Sequence, residues 1–184
     1  MRNALRYLLL AARLGMPGYC GLIEIDSRLF QMRAERQLEQ GLRAGAGDSL
    51  PAEVLQGSMG RLDIPRLEIS VAAMEGDSPS ILRRAAGPIT GTALPGQPGN
   101  AGISARRDTF FRPLRNVRKD DEIRVTTLPG AYRYPVVSTA IAPPTDTDVL
   151  NAGAKESLTP VTCYPFYFTG SAPDRFAVRA ERII

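Results

Sequence analysis

Glycine and proline recur along this chain without a fixed period, 17 of one and 15 of the other, and that punctuation limits the fold more than any other feature. Glycine weakens a helix through backbone entropy, and proline removes a hydrogen-bond donor. Long helical bundles are therefore disfavoured. A collagen-like rod is excluded because glycine does not fall at every third position. What remains is many short elements joined by tight turns. With 184 residues, 43% of them hydrophobic and 23% charged, the chain has the apolar content of one folded domain plus an appendage.

From Gly60 onward the pattern is that of strands. Leu62 and Ile64, then Leu67, Ile69 and Val71, alternate as two short strands joined near Pro65. Ser78 followed by Pro79 is a helix start, with the helix running to about Ala85. The turn-rich segment Leu94–Asn100 leads into a strand over Ala101–Ala105. Ile123, Val125 and Thr127 form one arm of a hairpin, and Tyr132, Tyr134 and Val136 the other, with a change of phase before Val137, Thr139 and Ile141. One late strand approaches Cys163, and Phe176, Val178 and Ala180 close the domain. Six to eight short strands fit a barrel or a sandwich, between which alternation alone does not choose.

The N-terminal third reads differently. Arg2 and Arg6 precede an apolar run from Tyr7 to Ile23, interrupted by Arg13 and Pro17. The basic start predicts a single membrane anchor over residues 1–25, with the rest of the chain outside the cytoplasm. Residues 26–59 read as a helical stalk, capped at Asp26 or Ser27 and ended near Gly41, followed by a linker rich in glycine, alanine and proline. The main domain is then 60–184.

Several chemistries are excluded by what is missing. The chain has no histidine, so a Ser-His-Asp hydrolase loses its base and the usual zinc sites lose a ligand. Two cysteines, Cys20 and Cys163, cannot make a disulfide framework or a thiolate cluster. All but Lys119 and Lys155 of the 23 basic residues are arginines, for a net charge of +4. Six of the basic residues fall between Arg106 and Lys119, with Phe110 and Phe111 among them. A single-strand nucleic-acid module is thereby a weak alternative, and no nucleic acid is expected as partner. Asp120, Asp121 and Glu122 read as a solvated turn, because neighbouring strand side chains alternate faces and do not converge on a metal. No metal and no cofactor is expected.

Cys163 stands at the end of a strand, and Arg175 just before the next one. A hairpin brings the guanidinium beside the thiol. By itself Cys163 is open to two readings, a buried hydrophobe or a nucleophile. The segments RDTFFRPL (Arg107–Leu114) and LTPVTCY (Leu158–Tyr164), with Arg175–Phe176, resemble the bacterial sortases, and among them the class D-like enzymes, from about Gly60 to Ile184.

The resemblance implies an all-β domain, a closed eight-stranded barrel with short helices, preceded by an N-terminal helical segment. It implies cleavage of an LPxTG-like or LPxTA-like sorting motif in a cell-envelope protein through a thioester. The acyl group then passes to an amine acceptor or water, at a membrane. Cys163 matches the nucleophile and Arg175 the arginine that steadies substrate and oxyanion. Thr162, Tyr164, Arg107 and Asp108 are the expected substrate contacts. The catalytic histidine should precede Arg107, and that position is Arg106. A guanidinium supplies positive charge but holds its proton throughout the physiological range, so it is no acid–base shuttle. Pro160 also removes a ladder donor from the strand leading to Cys163, which threatens to displace the cysteine. The expectation is a cysteine transpeptidase with severely impaired turnover, or a non-catalytic peptide-binding relative.

Overall fold

A computed structural model of the chain describes residues 58–76, 78–168 and 170–183, together with 25, 29, 31–33, 36 and 39. Eight strands follow in order: β1 (Ser58–Ile64), β2 (Ile69–Met74), β3 (Gly87–Pro88), β4 (Asn100–Ser104), β5 (Glu122–Thr126), β6 (Ala131–Ala142), β7 (Ser157–Tyr164) and β8 (Asp174–Glu181). Among the described residues from 58 onward, a four-residue helix, α1 (Pro79–Leu82), and three 3-10 turns accompany them. The sheet runs β2-β1-β5-β6-β8-β7-β4-β3. Among the described residues its two edges approach each other through one bridge, Ala73 to Ala86. Two hydrogen bonds accompany it, Met74 N to Ala86 O and Ala86 N to Ala72 O, each 2.9 Å. The sheet is thus nearly closed into a barrel, and the alternative of a sandwich drops out.

Alternation explains most of the pairing. Ile123 sits opposite Tyr134 and Val125 opposite Tyr132, so the inward residues of both arms meet one core. Leu62, Ile64, Ile103, Phe111, Leu114, Ile123, Tyr134, Leu158 and Val178 are fully or almost fully buried within it. The change of phase in β6 is a register shift between Val136 and Ser138. β1 carries a second irregularity at Gly60, whose φ is +148°. There a Cβ would stand 2.1 Å from the Thr126 carbonyl oxygen, so only glycine lets β1 lie this close to β5.

Not every expected boundary stands. The helix begins where Ser78 caps it, its hydroxyl accepting from Ile81 N at 3.4 Å, but ends at Leu82 rather than Ala85. β1 starts at Ser58, within the stretch read as linker. The acidic run is no simple solvated turn. Asp121 is buried and accepts a two-pronged hydrogen bond from the Arg66 guanidinium, while Glu122 faces Arg124. Arg66 holds the Asp121 carboxyl below the usual range, against the opposing effect of burial.

Among the described residues no helix is long and apolar enough to cross a membrane. This corrects the expectation of a single N-terminal anchor holding the domain outside the cytoplasm. The run from 7 to 23 on which it was based lies outside the described residues. Of the stalk, Leu29, Gln31–Arg33, Arg36 and Glu39 are helical, as is Ile25 just before it. Gln31 reaches the barrel edges: its side-chain oxygen accepts from Ala72 N at 2.8 Å, and its amide nitrogen donates to Arg84 O.

Among the described residues Tyr134 is the largest fully buried side chain. Its hydroxyl accepts from Gly96 N at 3.0 Å and donates to Glu156 Oε1 at 3.0 Å. Arg182 closes this network from the far side by donating to Glu156 Oε2 at 2.7 Å. Burial pushes the phenol up to about 12. The unfolded chain loses this proton near pH 10, so stability from this group is complete below that value. It is lost as pH rises through about 12. The expected loss is about 2–3 kcal/mol. Denaturant titrations of the parent and Tyr134→Phe across this window check it, the variant giving the flatter profile.

Candidate active site

The site is built where two neighbouring connections converge. β7 and β8 are antiparallel partners, and their register places Cys163 opposite Arg175 and Thr162 opposite Phe176. On its other side β7 runs parallel to β4, with Ser104 beside Val161. The chain leaving β4 therefore delivers Ala105, Arg106 and Arg107 next to the strand that carries Cys163. Two contacts fix that delivery: Ala105 N donates to Val161 O at 3.4 Å, and the Thr162 hydroxyl donates to Ala105 O at 2.9 Å. Phe111 N then donates to Arg106 O at 3.0 Å and turns the chain back into the core.

Pro160 does not displace the cysteine. Leu158–Ala180 and Val161–Ala177 keep one register on either side of it, so a rung is omitted without a slip.

Arg106, Arg107, Asp108, Cys163, Gly170, Ser171, Ala172 and Arg175 line one cavity of about 330 Å³. Cys163 is a free thiol of intermediate exposure. Arg175 donates through Nη1 to Asp174 O at 3.0 Å and Ala172 O at 3.4 Å. Its remaining guanidinium donors have no acceptor among the described residues, so they are available to a carbonyl oxygen in the cavity. The Arg106 side chain is about half exposed and lies 3.7 Å from Asp108 Oδ2, beyond direct hydrogen-bond reach.

Arg107 points elsewhere. It is 7% exposed, and its guanidinium donates to Pro165 O at 2.8 Å, to Phe168 O, to Gly170 O at 3.4 Å and to Asp108 Oδ1 at 3.3 Å. Three of these acceptors are carbonyls of the β7–β8 loop that walls the cavity. The Thr162 side chain, in a residue 3% exposed, is likewise turned to Ala105 rather than to the opening. Tyr164 stacks on Phe176 with centroids 6.4 Å apart and meets Phe166 edge-on. Asp108 pairs with both Arg106 and Arg107.

Gly170, Ser171 and Ala172 had no place among the sequence candidates. The signal was present in TGSAPD, turn-forming residues wedged between the two strands that carry Cys163 and Arg175. Replacing Arg107 by alanine leaves three loop carbonyls without their donor. We expect faster amide exchange and readier proteolysis confined to residues 165–173, with the global unfolding midpoint moving less than for a core truncation. An unchanged loop would contradict this.

Comparison with known proteins is consistent with this geometry. Sortase D of Bacillus subtilis (strain 168) is 28% identical, over the full length of both chains. The solved structure of a Clostridium perfringens sortase D5 transpeptidase is 25% identical with a TM-score of 0.65, covering 86% of this chain and 98% of its own. Sortase C1 from Streptococcus suis shares the fold at 24% identity, with a TM-score of 0.66 over 71% of this chain and 75% of its own. The sortase-domain family model matches residues 62–183, from the first strand to the last, and the chain belongs to the sortase family.

Proposed function

We propose that the chain is a class D-like sortase that takes a sorting motif of a cell-envelope protein onto Cys163 and turns it over very slowly. One observation carries this reading: Cys163, Arg175 and Arg106 line a single cavity in a chain with no histidine. The Cys163 sulfur attacks the scissile carbonyl carbon, a C–S bond forms and the C–N bond breaks. Arg175 donates hydrogen bonds to the carbonyl oxygen as negative charge gathers there. The departing nitrogen needs a proton to leave as an amine. Position 106 is where the family's histidine belongs, and Arg106 keeps its own proton, so the nitrogen takes one from the thiol or from water. An amine acceptor or water then cleaves the thioester and returns the thiol.

Thr162 and Arg107 act as positioning residues in this scheme, one holding the 105–108 turn and the other the β7–β8 loop. Asp108 tempers the charge of Arg106, and Tyr164 forms part of the cavity's aromatic flank. The sortase domain runs from β1 to 184 as a nearly closed barrel, with a helical stalk and linker between 26 and the start of β1.

The missing histidine equally favours a second reading, a sortase relative that binds the peptide and does no chemistry. Peptides of LPxTG and LPxTA type, incubated with the chain and with Cys163→Ala, separate the two. Slow product that vanishes in Cys163→Ala supports the first. Peptide binding with no product and no covalent adduct supports the second.

A further inference from the structure

The β7–β8 loop, whose Gly170, Ser171 and Ala172 line this cavity, also presents Tyr167, 72% exposed. Two guanidinium groups lie over its ring, Arg112 at 5.6 Å and Arg115 at 5.5 Å from the centroid. Both arginines are exposed, and among the described residues neither meets a carboxylate. Arg115 instead donates weakly to the Arg112 carbonyl at 3.5 Å. Two like charges thus stand together over one aromatic ring, with no acid among the described residues paired to either. Asp108, the only acid between residues 106 and 119, is already shared by Arg106 and Arg107.

We propose that Arg112, Tyr167 and Arg115 form a docking surface for an acidic segment flanking the scissile motif of the protein substrate. Guanidinium forks match carboxylates in pairs, and the tyrosine ring offers a face for apolar stems between them. The position fits a substrate passing over Cys163. Tyr167 is four residues beyond the nucleophile, and Arg112 opens the 3-10 turn (Arg112–Asn116) that follows directly from the Arg106–Phe111 turn. An extended peptide covers about 3.3 Å per residue, so a flank of about four residues spans as far as the chain from Cys163 to Tyr167 can reach. A nucleic-acid strand would need successive stacking platforms along a basic groove, whereas this surface centres on one ring.

The inference rests on the chain taking a peptide, so binding and acid preference are measured separately. The full chain is titrated with labelled peptides carrying the sorting motif, flanked on either side by Asp and Glu or by Asn and Gln. Acidic flanks are expected to tighten binding roughly three- to tenfold at low salt, with the preference shrinking as salt rises. The double substitution Arg112→Gln, Arg115→Gln is expected to erase the preference and leave the neutral peptide's affinity unchanged. Equal affinity for acidic and neutral peptides overturns the proposal, as does a preference that survives the double substitution. An oligonucleotide of equal charge that binds more tightly than the acidic peptide also overturns it. If neither peptide binds, the peptide-binding reading itself fails and takes this one with it.

Discussion

Replacing Arg106 with histidine is expected to raise Cys163-dependent turnover of a sorting-motif peptide by about 10²–10⁴-fold, the usual worth of a positioned acid–base group. The position is already prepared for it. Ala105 is hydrogen-bonded to Val161 and Thr162 of the strand that carries Cys163, and Arg106 O accepts from Phe111 N, so the backbone on both sides of the substitution is held. Arg106 lines the same cavity as Cys163 and Arg175. An imidazole there can donate a proton to the leaving nitrogen and take one from the incoming nucleophile. A guanidinium does neither.

A change in pH dependence should accompany the gain. An unperturbed imidazole titrates near about 6.5; Arg107 and Arg175 oppose its protonated form and Asp108 favours it. The parent chain should lack the corresponding inflection. Steady-state kinetics on both proteins over the neutral range check this. A variant that folds and binds peptide, yet turns over no faster than the parent, would show that proton transfer is not what limits the chain.

Phe111→Ala is expected to be the most damaging single change to stability. Phe111 has no exposed surface and packs in the core cluster with Leu114, Ile123 and Tyr134. Truncating a fully buried phenylalanine costs about 3–5 kcal/mol through lost transfer energy and the cavity left behind. Domains of this size are stable by only about 5–15 kcal/mol in all. The loss should appear in urea unfolding as a lower midpoint with an unchanged slope. Phe110, only partly buried against the same core, should cost less when truncated. Equal losses at the two positions would contradict the assigned packing. Phe111 also anchors the turn that carries Arg106, so stability and site geometry share this residue.

Where side chains alternate and neighbours in sequence are neighbours in space, the sequence was sufficient. Ile123 and Val125 face Tyr134 and Tyr132 as the two-residue period requires. The hairpin joining Cys163 to Arg175 follows from two strand patterns separated by one turn-rich loop. The parallel pairing of β4 with β7 was less accessible, because Ala101 and Leu158 lie far apart in sequence and no local pattern marks them as partners. β3, two residues long, is too short to show any period.

The juxtaposition of Cys163 with Arg175 was legible in the sequence, and the residues that hold the cavity walls were not. Arg107 sits among charged neighbours and has the sequence signature of a surface residue. Only the path of the β7–β8 loop surrounds it with carbonyls and buries it. Asp121 was misread for a similar reason: its partner Arg66 lies 55 residues away in sequence. The apolar run near the N-terminus suggested an anchor by composition, while among the described residues no helix meets the length and apolarity that crossing requires.

The most direct test follows the mass of the intact chain during incubation with excess sorting-motif peptide, while released product is counted alongside. The account predicts a slowly formed acyl adduct on Cys163, absent in Cys163→Ala, with very little product over many times the period in which the Arg106→His variant completes its turnovers. Rapid, repeated, Cys163-dependent turnover by the parent chain would contradict it, because a protein without histidine would then be moving the proton by a route that Arg106 does not provide.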